Sequence, residues 1–216
     1  MKSRIVASLD VTDRNSLIAL WERIRKNVFA IKINWPTVLA CGKSIISELS
    51  KESRVICDFK IADIPNTDKL IMEQIRNEKP FAVIAQAFPG MDSIDSLIEN
   101  AGEIKIIVVA AMSNPGASKY LNPNFPRIMD DIRERNIYGA VVGGNNIDML
   151  RETSRNKGNL KIFSPGIGVQ GGSPVSAILN GSDYIIIGRS LYNSSNPEEY
   201  VDKINLDIEN ALATKK

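Results

Sequence analysis

Val55-Ile56-Cys57-Asp58-Phe59-Lys60, continued by Ile61-Ala62-Asp63-Ile64-Pro65-Asn66-Thr67, is the stretch from which the fold can be read. It starts apolar and β-branched, turns charged, and is then stopped by Pro65. That is the pattern of a short strand buried on both faces which releases into a loop. Helix-start chemistry follows at once, with Asn66 or Thr67 as the expected cap. In a strand, residues i and i+2 share a face. Asp58 and Lys60 should therefore project together, while Cys57 and Phe59 turn toward a helical layer.

The same unit recurs in both directions. Strand-like runs are expected at Ile5–Asp10, Ala30–Asn34, Val55–Lys60, Ala82–Ala87, Ile104–Met112, Gly139–Gly144, Lys161–Gly166 and Tyr184–Arg189. Between them lie amphipathic stretches, one striped by Leu17, Leu20, Trp21 and Ile24, another partly by Leu70, Ile71, Gln74 and Ile75. Asp13 and the pair Ser173-Pro174 are further helix-start signals. Strand–helix alternation leaves an open doubly wound sheet or a closed barrel, and a count of eight favours an α/β fold of the single (β/α)8 TIM-barrel type. No Pro/Gly-rich linker or charge block divides the chain, so one domain over residues 1–216 is expected.

A barrel of this kind carries its chemistry at the C-terminal ends of the strands. Asp10 ends the first run, Lys32 lies late in the second, and Asp58 and Lys60 end the third. Lys32 alternates with Ile31 and Ile33, so it can point into the barrel mouth. Charges interleaved inside a barrel are costly unless mutually paired. Asp58 and Lys60 alone could be a structural ion pair at the rim; with Lys32, Asp10 and Asp63 on the same face, a functional cluster is the better reading. The Gly-rich loop Ser164–Pro174, followed by Ile187-Gly188-Arg189-Ser190, sits where these barrels commonly bind phosphate. Met112-Ser113-Asn114-Pro115-Gly116 has the composition of a turn, and at the end of the fifth strand it could also present a hydroxyl to a planar amide edge.

Composition narrows the chemistry further. The 216 residues contain no histidine, which excludes His-based triads, His metal sites and imidazole acid–base catalysis. A net charge of +2 with both signs interspersed does not suggest a nucleic-acid surface. Cys41 and Cys57 make no disulfide framework and fit reduced thiols of a cytoplasmic protein. Neither a signal peptide nor an apolar run long enough to span a bilayer is expected, so no membrane partner is either.

Taken together, Ser8-Leu9-Asp10, Lys32, Asp58-Phe59-Lys60-Ile61-Ala62-Asp63-Ile64-Pro65-Asn66-Thr67, Ala87-Phe88-Pro89-Gly90, Met112–Gly116, Ser164-Pro165-Gly166, Gln170-Gly171-Gly172 and Gly188-Arg189-Ser190 resemble the orotidine 5′-monophosphate decarboxylase family. The resemblance implies conversion of orotidine 5′-monophosphate to UMP and CO2 without metal or organic cofactor. It implies that Lys60 protonates C6, that Asp58 lies by the departing carboxylate, and that Lys32 and Asp63 complete an alternating charge array. Asp10 and Lys32 would bind ribose hydroxyls, Ser113 the pyrimidine edge, Pro165 would pack near the ring, and Gln170 would bridge base and phosphate. Gly188 and Arg189 would hold the phosphate. It further implies a homodimer in which Asp63, Ile64 and Thr67 reach the neighbouring subunit's site.

Two alternatives belong beside this. The Mg2+-dependent enzymes 3-keto-L-gulonate 6-phosphate decarboxylase and hexulose 6-phosphate synthase share the Asp-x-Lys-x-x-Asp core, but they place an acid on the second strand, where a cation such as Lys32 repels Mg2+. A non-catalytic barrel binding a nucleotide or sugar phosphate has no need of Lys60 between two acids.

Overall fold

The computed structural model describes residues 3–112, 114–168 and 171–214. Eight parallel strands close in sequence order into a barrel, each paired with its chain neighbours and the last with the first. The first half runs β1 (Ile5–Ser8), α1 (Arg14–Ile24), β2 (Ala30–Asn34), α2 (Trp35–Cys41), α3 (Ile45–Ser50), β3 (Val55–Ile61), α4 (Pro65–Arg76), β4 (Ala82–Gln86) and α5 (Met91–Ala101). The second half runs β5 (Lys105–Val109), α6 (Ala117–Tyr120), a 3-10 turn (Asn122–Asn124), α7 (Phe125–Arg133), β6 (Gly139–Val141), α8 (Ile147–Asn156), β7 (Lys161–Ser164), α9 (Pro174–Leu179), β8 (Tyr184–Ile187), α10 (Arg189–Tyr192) and α11 (Pro197–Thr214).

The strands are buried on both faces, as near-continuous Val/Ile/Ala runs require when helices cover the outside. Phe29, Phe81, Tyr138 and Tyr184 stand just before or at the start of β2, β4, β6 and β8. Their rings meet across non-adjacent strands, with centroids 3.9 Å apart for Phe29–Tyr184, 6.0 Å for Phe29–Phe81 and 5.4 Å for Phe81–Tyr138. Rings on alternate strands can touch only inside the barrel, so they form a layer that plugs its N-terminal end. Burial there pushes the Tyr138 hydroxyl pKa up. The opposite, C-terminal end is left open.

Several strands are shorter than the sequence suggests. β1 stops at Ser8, β5 at Val109, β6 at Val141, β7 at Ser164 and β8 at Ile187, although single backbone bonds such as Leu9 N–H to Lys32 O and Val142 N–H to Phe163 O continue just beyond. Asp10 thus lies two residues past its strand, and Arg189 is the first residue of α10 rather than the end of β8. Asp13 caps α1 by accepting from the Ser16 amide, and Ser173 caps α9 by accepting from the Ser176 amide, both as expected. The cap expected for α4 is different: extended Ile64 is the cap, Pro65 takes the first helical position, and Asn66 and Thr67 lie within the first turn. The buried stripe of α4 is Asp68, Met72 and Ile75, displaced from the one read off the sequence, so that Leu70 faces outward.

Candidate active site

Asp58 is the hub of the open end. One of its carboxylate oxygens accepts from Lys32 Nζ at 2.7 Å and the other from Lys60 Nζ at 2.7 Å. Lys32 is buried, and the Asp58 side chain is only 11% exposed. Burial pushes the Asp58 carboxyl up, but the two ammonium groups outweigh it and hold the pKa below the usual carboxylate value. Lys32 and Asp58 are largely withdrawn from solvent, whereas the Lys60 side chain is 43% exposed.

Lys60 reaches Asp58 by an irregular path. The β3–β4 register shifts between Cys57 and Ile61, and Lys60 has φ +46°. The two side chains meet as expected, but through a bulge rather than plain two-residue alternation.

Lys32, Asp58, Lys60, Asp10, Pro165, Gly188 and Arg189 all line one cavity of about 270 Å³, walled on its apolar side by Ile84, Val109, Val141 and Ile186. Asp10 has one carboxylate oxygen engaged, accepting from Ser8 Oγ at 3.0 Å and Asn34 Nδ2 at 2.9 Å. Its second oxygen is left toward Gly188. Arg189 is exposed and takes part in no ion pair among the described residues, so its guanidinium is available to an anion. The glycine loop beneath it is tightly folded: Gly166, Gly168 and Gly171 have positive φ, and the amides of Gly168, Gly171 and Gly172 donate to carbonyls of the same loop. Those amides are therefore not free for a phosphate.

Asp63, Ile64 and Thr67 do not line this cavity. Asp63 is exposed, and it accepts from the Ile64 amide at 2.8 Å rather than pairing with Lys60 or Lys32. Ser113 and Gln170 lie outside the described residues.

Sequence reasoning assigned no role to Ser8, quoted only within Ser8-Leu9-Asp10, or to Asn34, both of which orient Asp10. It also did not assign Ser190 a role; its hydroxyl is buried without a partner among the described residues, next to Arg189 in the cavity wall. Trp35, whose indole N–H donates to the Phe59 carbonyl at 3.0 Å, gave no signal at all.

The family model for orotidine 5′-phosphate decarboxylase / HUMPS matches residues 3–204. The chain belongs to this family. Orotidine 5′-phosphate decarboxylase of Thermoplasma acidophilum is 43% identical over 211 residues, covering 98% of each chain. The Thermoplasma volcanium protein of that name is 42% identical over 216 residues, covering 100% of this chain and 98% of its own. Among solved structures, orotidine 5′-phosphate decarboxylase from Pyrococcus horikoshii superposes with a TM-score of 0.89 at 36% identity, covering 95% of this chain and 99% of that one. The Methanocaldococcus jannaschii enzyme complexed with inhibitor BMP gives 0.90 at 30% identity, covering 96% and 99%. Lys32 Nζ occupies one carboxylate oxygen of Asp58, and no group of three or more acid or cysteine side chains is arranged to hold a metal among the described residues.

Proposed function

We propose that the protein is an orotidine 5′-phosphate decarboxylase, forming UMP and CO2 in de novo pyrimidine synthesis with no metal or organic cofactor. The observation that carries this reading is the Lys32–Asp58–Lys60 triad in a cavity also lined by Arg189, which has no ion-pair partner among the described residues. Breaking the bond from C6 to the carboxylate releases CO2 and leaves the electron pair on C6, in an sp² orbital lying in the ring plane. The ring's π system cannot accept that pair, so stabilisation has to come from a preorganised cation. Lys60 supplies the charge and then an Nζ proton to C6, giving UMP; water restores the ammonium. Asp58 holds Lys60 in place and, being kept ionised, opposes a carboxylate brought beside it. Arg189 binds the phosphate, Asp10 and Lys32 the ribose, and Pro165 and Gly188 pack against the nucleotide. Ser113 and Gln170 are assigned to the base and to the base–phosphate bridge by family resemblance.

The enzyme acts as a homodimer in this reading. Trp35, Leu39, Ile64, Leu70 and Phe88 are large apolar side chains left exposed on the second, third and fourth βα units. Asp63, Ile64 and Thr67 belong to the third βα unit and stand clear of their own cavity, so they are free to complete a second copy's. A cytoplasmic location fits the nucleotide substrate, and no helix among the described residues is long and apolar enough to cross a membrane.

Orotidine 5′-monophosphate labelled in its carboxylate tests the assignment. One labelled CO2 should appear for each UMP formed, while unphosphorylated orotidine should turn over far more slowly. Label retained in a nucleotide product would contradict it.

A further inference from the structure

Lys60 adopts φ +46°, a left-handed conformation that a lysine keeps only where its surroundings impose it. Around it β3 leaves its regular ladder with β4, since the register slips between Cys57 and Ile61. Within the slip, the Phe59 carbonyl accepts from the Trp35 indole Nε1–H at 3.0 Å. The Trp35 ring also stacks on the Phe59 ring, with centroids 4.2 Å apart and planes 21° from parallel. Trp35 begins α2, directly after Asn34, whose side chain caps that helix and donates to Asp10. It is thus anchored to the strand that carries Lys32 and grips the residue lying between Asp58 and Lys60. Yet Trp35 is 43% exposed and does not line the cavity. Burial of the ring in the proposed association of two copies would not explain the directed bond and the stack, which act on the bulge within one chain.

We propose that Trp35 is a positioning residue for the decarboxylation step: its indole N–H and ring hold the β3 bulge in the form that keeps the Lys60 ammonium against Asp58 and facing the cavity. The kinetic part of this inference rests on the reading of Lys60 as proton donor; the structural part does not. Losing the indole N–H leaves the Phe59 carbonyl without this partner and lets the strained Lys60 backbone relax. Lys60 then has to be drawn back into place in each turnover, which lowers kcat while leaving phosphate and ribose contacts intact.

Two replacements separate the bond from the bulk. Trp35→Phe keeps an aromatic ring for the stack and removes the donor. Substituting the indole of Trp35 with benzothiophene, by incorporating benzothienylalanine, changes only the N–H to sulfur and guards against a packing defect. Crystal structures of both should have Lys60 outside the left-handed region and its Nζ moved from 2.7 Å to more than 4 Å from Asp58. Turnover of orotidine 5′-monophosphate should fall about tenfold in kcat, the size expected for one lost hydrogen bond, with KM within about twofold. A folded variant of either kind that keeps the positive φ and the Lys60–Asp58 contact, or keeps the parental kcat, overturns the proposal. Should the parent protein itself fail to decarboxylate the nucleotide, the functional reading falls, and the crystal structures still decide the role of Trp35.

Discussion

At the scale of single residues, Asp58 is placed so that both of its oxygens are engaged by ammonium groups, and its charge therefore has a measurable signature. Its folded-state pKa lies below the ordinary carboxylate value. The stability this contributes is present above the unfolded value of about 3.9, and is lost as pH falls through the folded pKa. Asp58→Asn should cost about 3 kcal/mol at pH 7 by leaving Lys32 buried and unpaired, and should flatten the fall in stability below about pH 4. Urea unfolding at several pH values checks both effects. Arg189 makes a different prediction, because among the described residues it holds no ion-pair partner that its removal would strand. Arg189→Ala should lower kcat/KM for the nucleotide about 10–100-fold, mainly through KM, the range of one or two charge-assisted hydrogen bonds. An unchanged KM with unchanged kcat/KM would remove Arg189 from the phosphate site.

Elements explain why part of this was legible in the sequence and part was not. Alternation placed Asp58 beside Lys60, but the contact is made through a bulge that no pattern of apolar residues announces. The start of α4 was misplaced because Asn66 and Thr67 are good caps by residue type, whereas Pro65 fits the first helical position and makes Ile64 the cap. Its buried stripe was misplaced because Leu70 is apolar and faces out, whereas Asp68 is charged and faces in. Asp68 accepts from Ser93 Oγ through one oxygen, and its other oxygen is buried without a partner among the described residues. Burial is the main cause that raises its pKa. A raised pKa favours folding below the unfolded value, and that contribution is lost as pH rises through the folded one. Asp68→Asn should accordingly stabilise the protein at pH 7 by about 1 kcal/mol, or ~2–4 °C in Tm. Calorimetry at pH 7 and pH 4 checks this, and the gain should shrink at the lower pH.

For the whole molecule, the barrel was the most legible level, since eight buried strand patterns alternating with helical ones leave few architectures. The aromatic layer at its closed end was not, because the residues that form it are far apart in sequence and meet only once the barrel closes. Association belongs to this scale as well. If the exposed apolar face around Trp35, Leu39, Ile64 and Phe88 joins two copies, sedimentation should give twice the 23.8 kDa chain mass. Leu39→Asp should then shift the mass toward a single chain at low concentration, with activity recovering as concentration rises. The central claim is that Lys60, without a metal, turns orotidine 5′-monophosphate into UMP, and it is tested most directly by following the nucleotide's ultraviolet absorbance after adding EDTA-treated protein. The spectrum should pass to that of UMP with the parent protein, and Lys60→Ala should slow the change by on the order of 10³-fold or more while still binding UMP. A parent protein that leaves the spectrum unchanged until Mg2+ is restored, or a Lys60→Ala variant that matches it, would contradict the account.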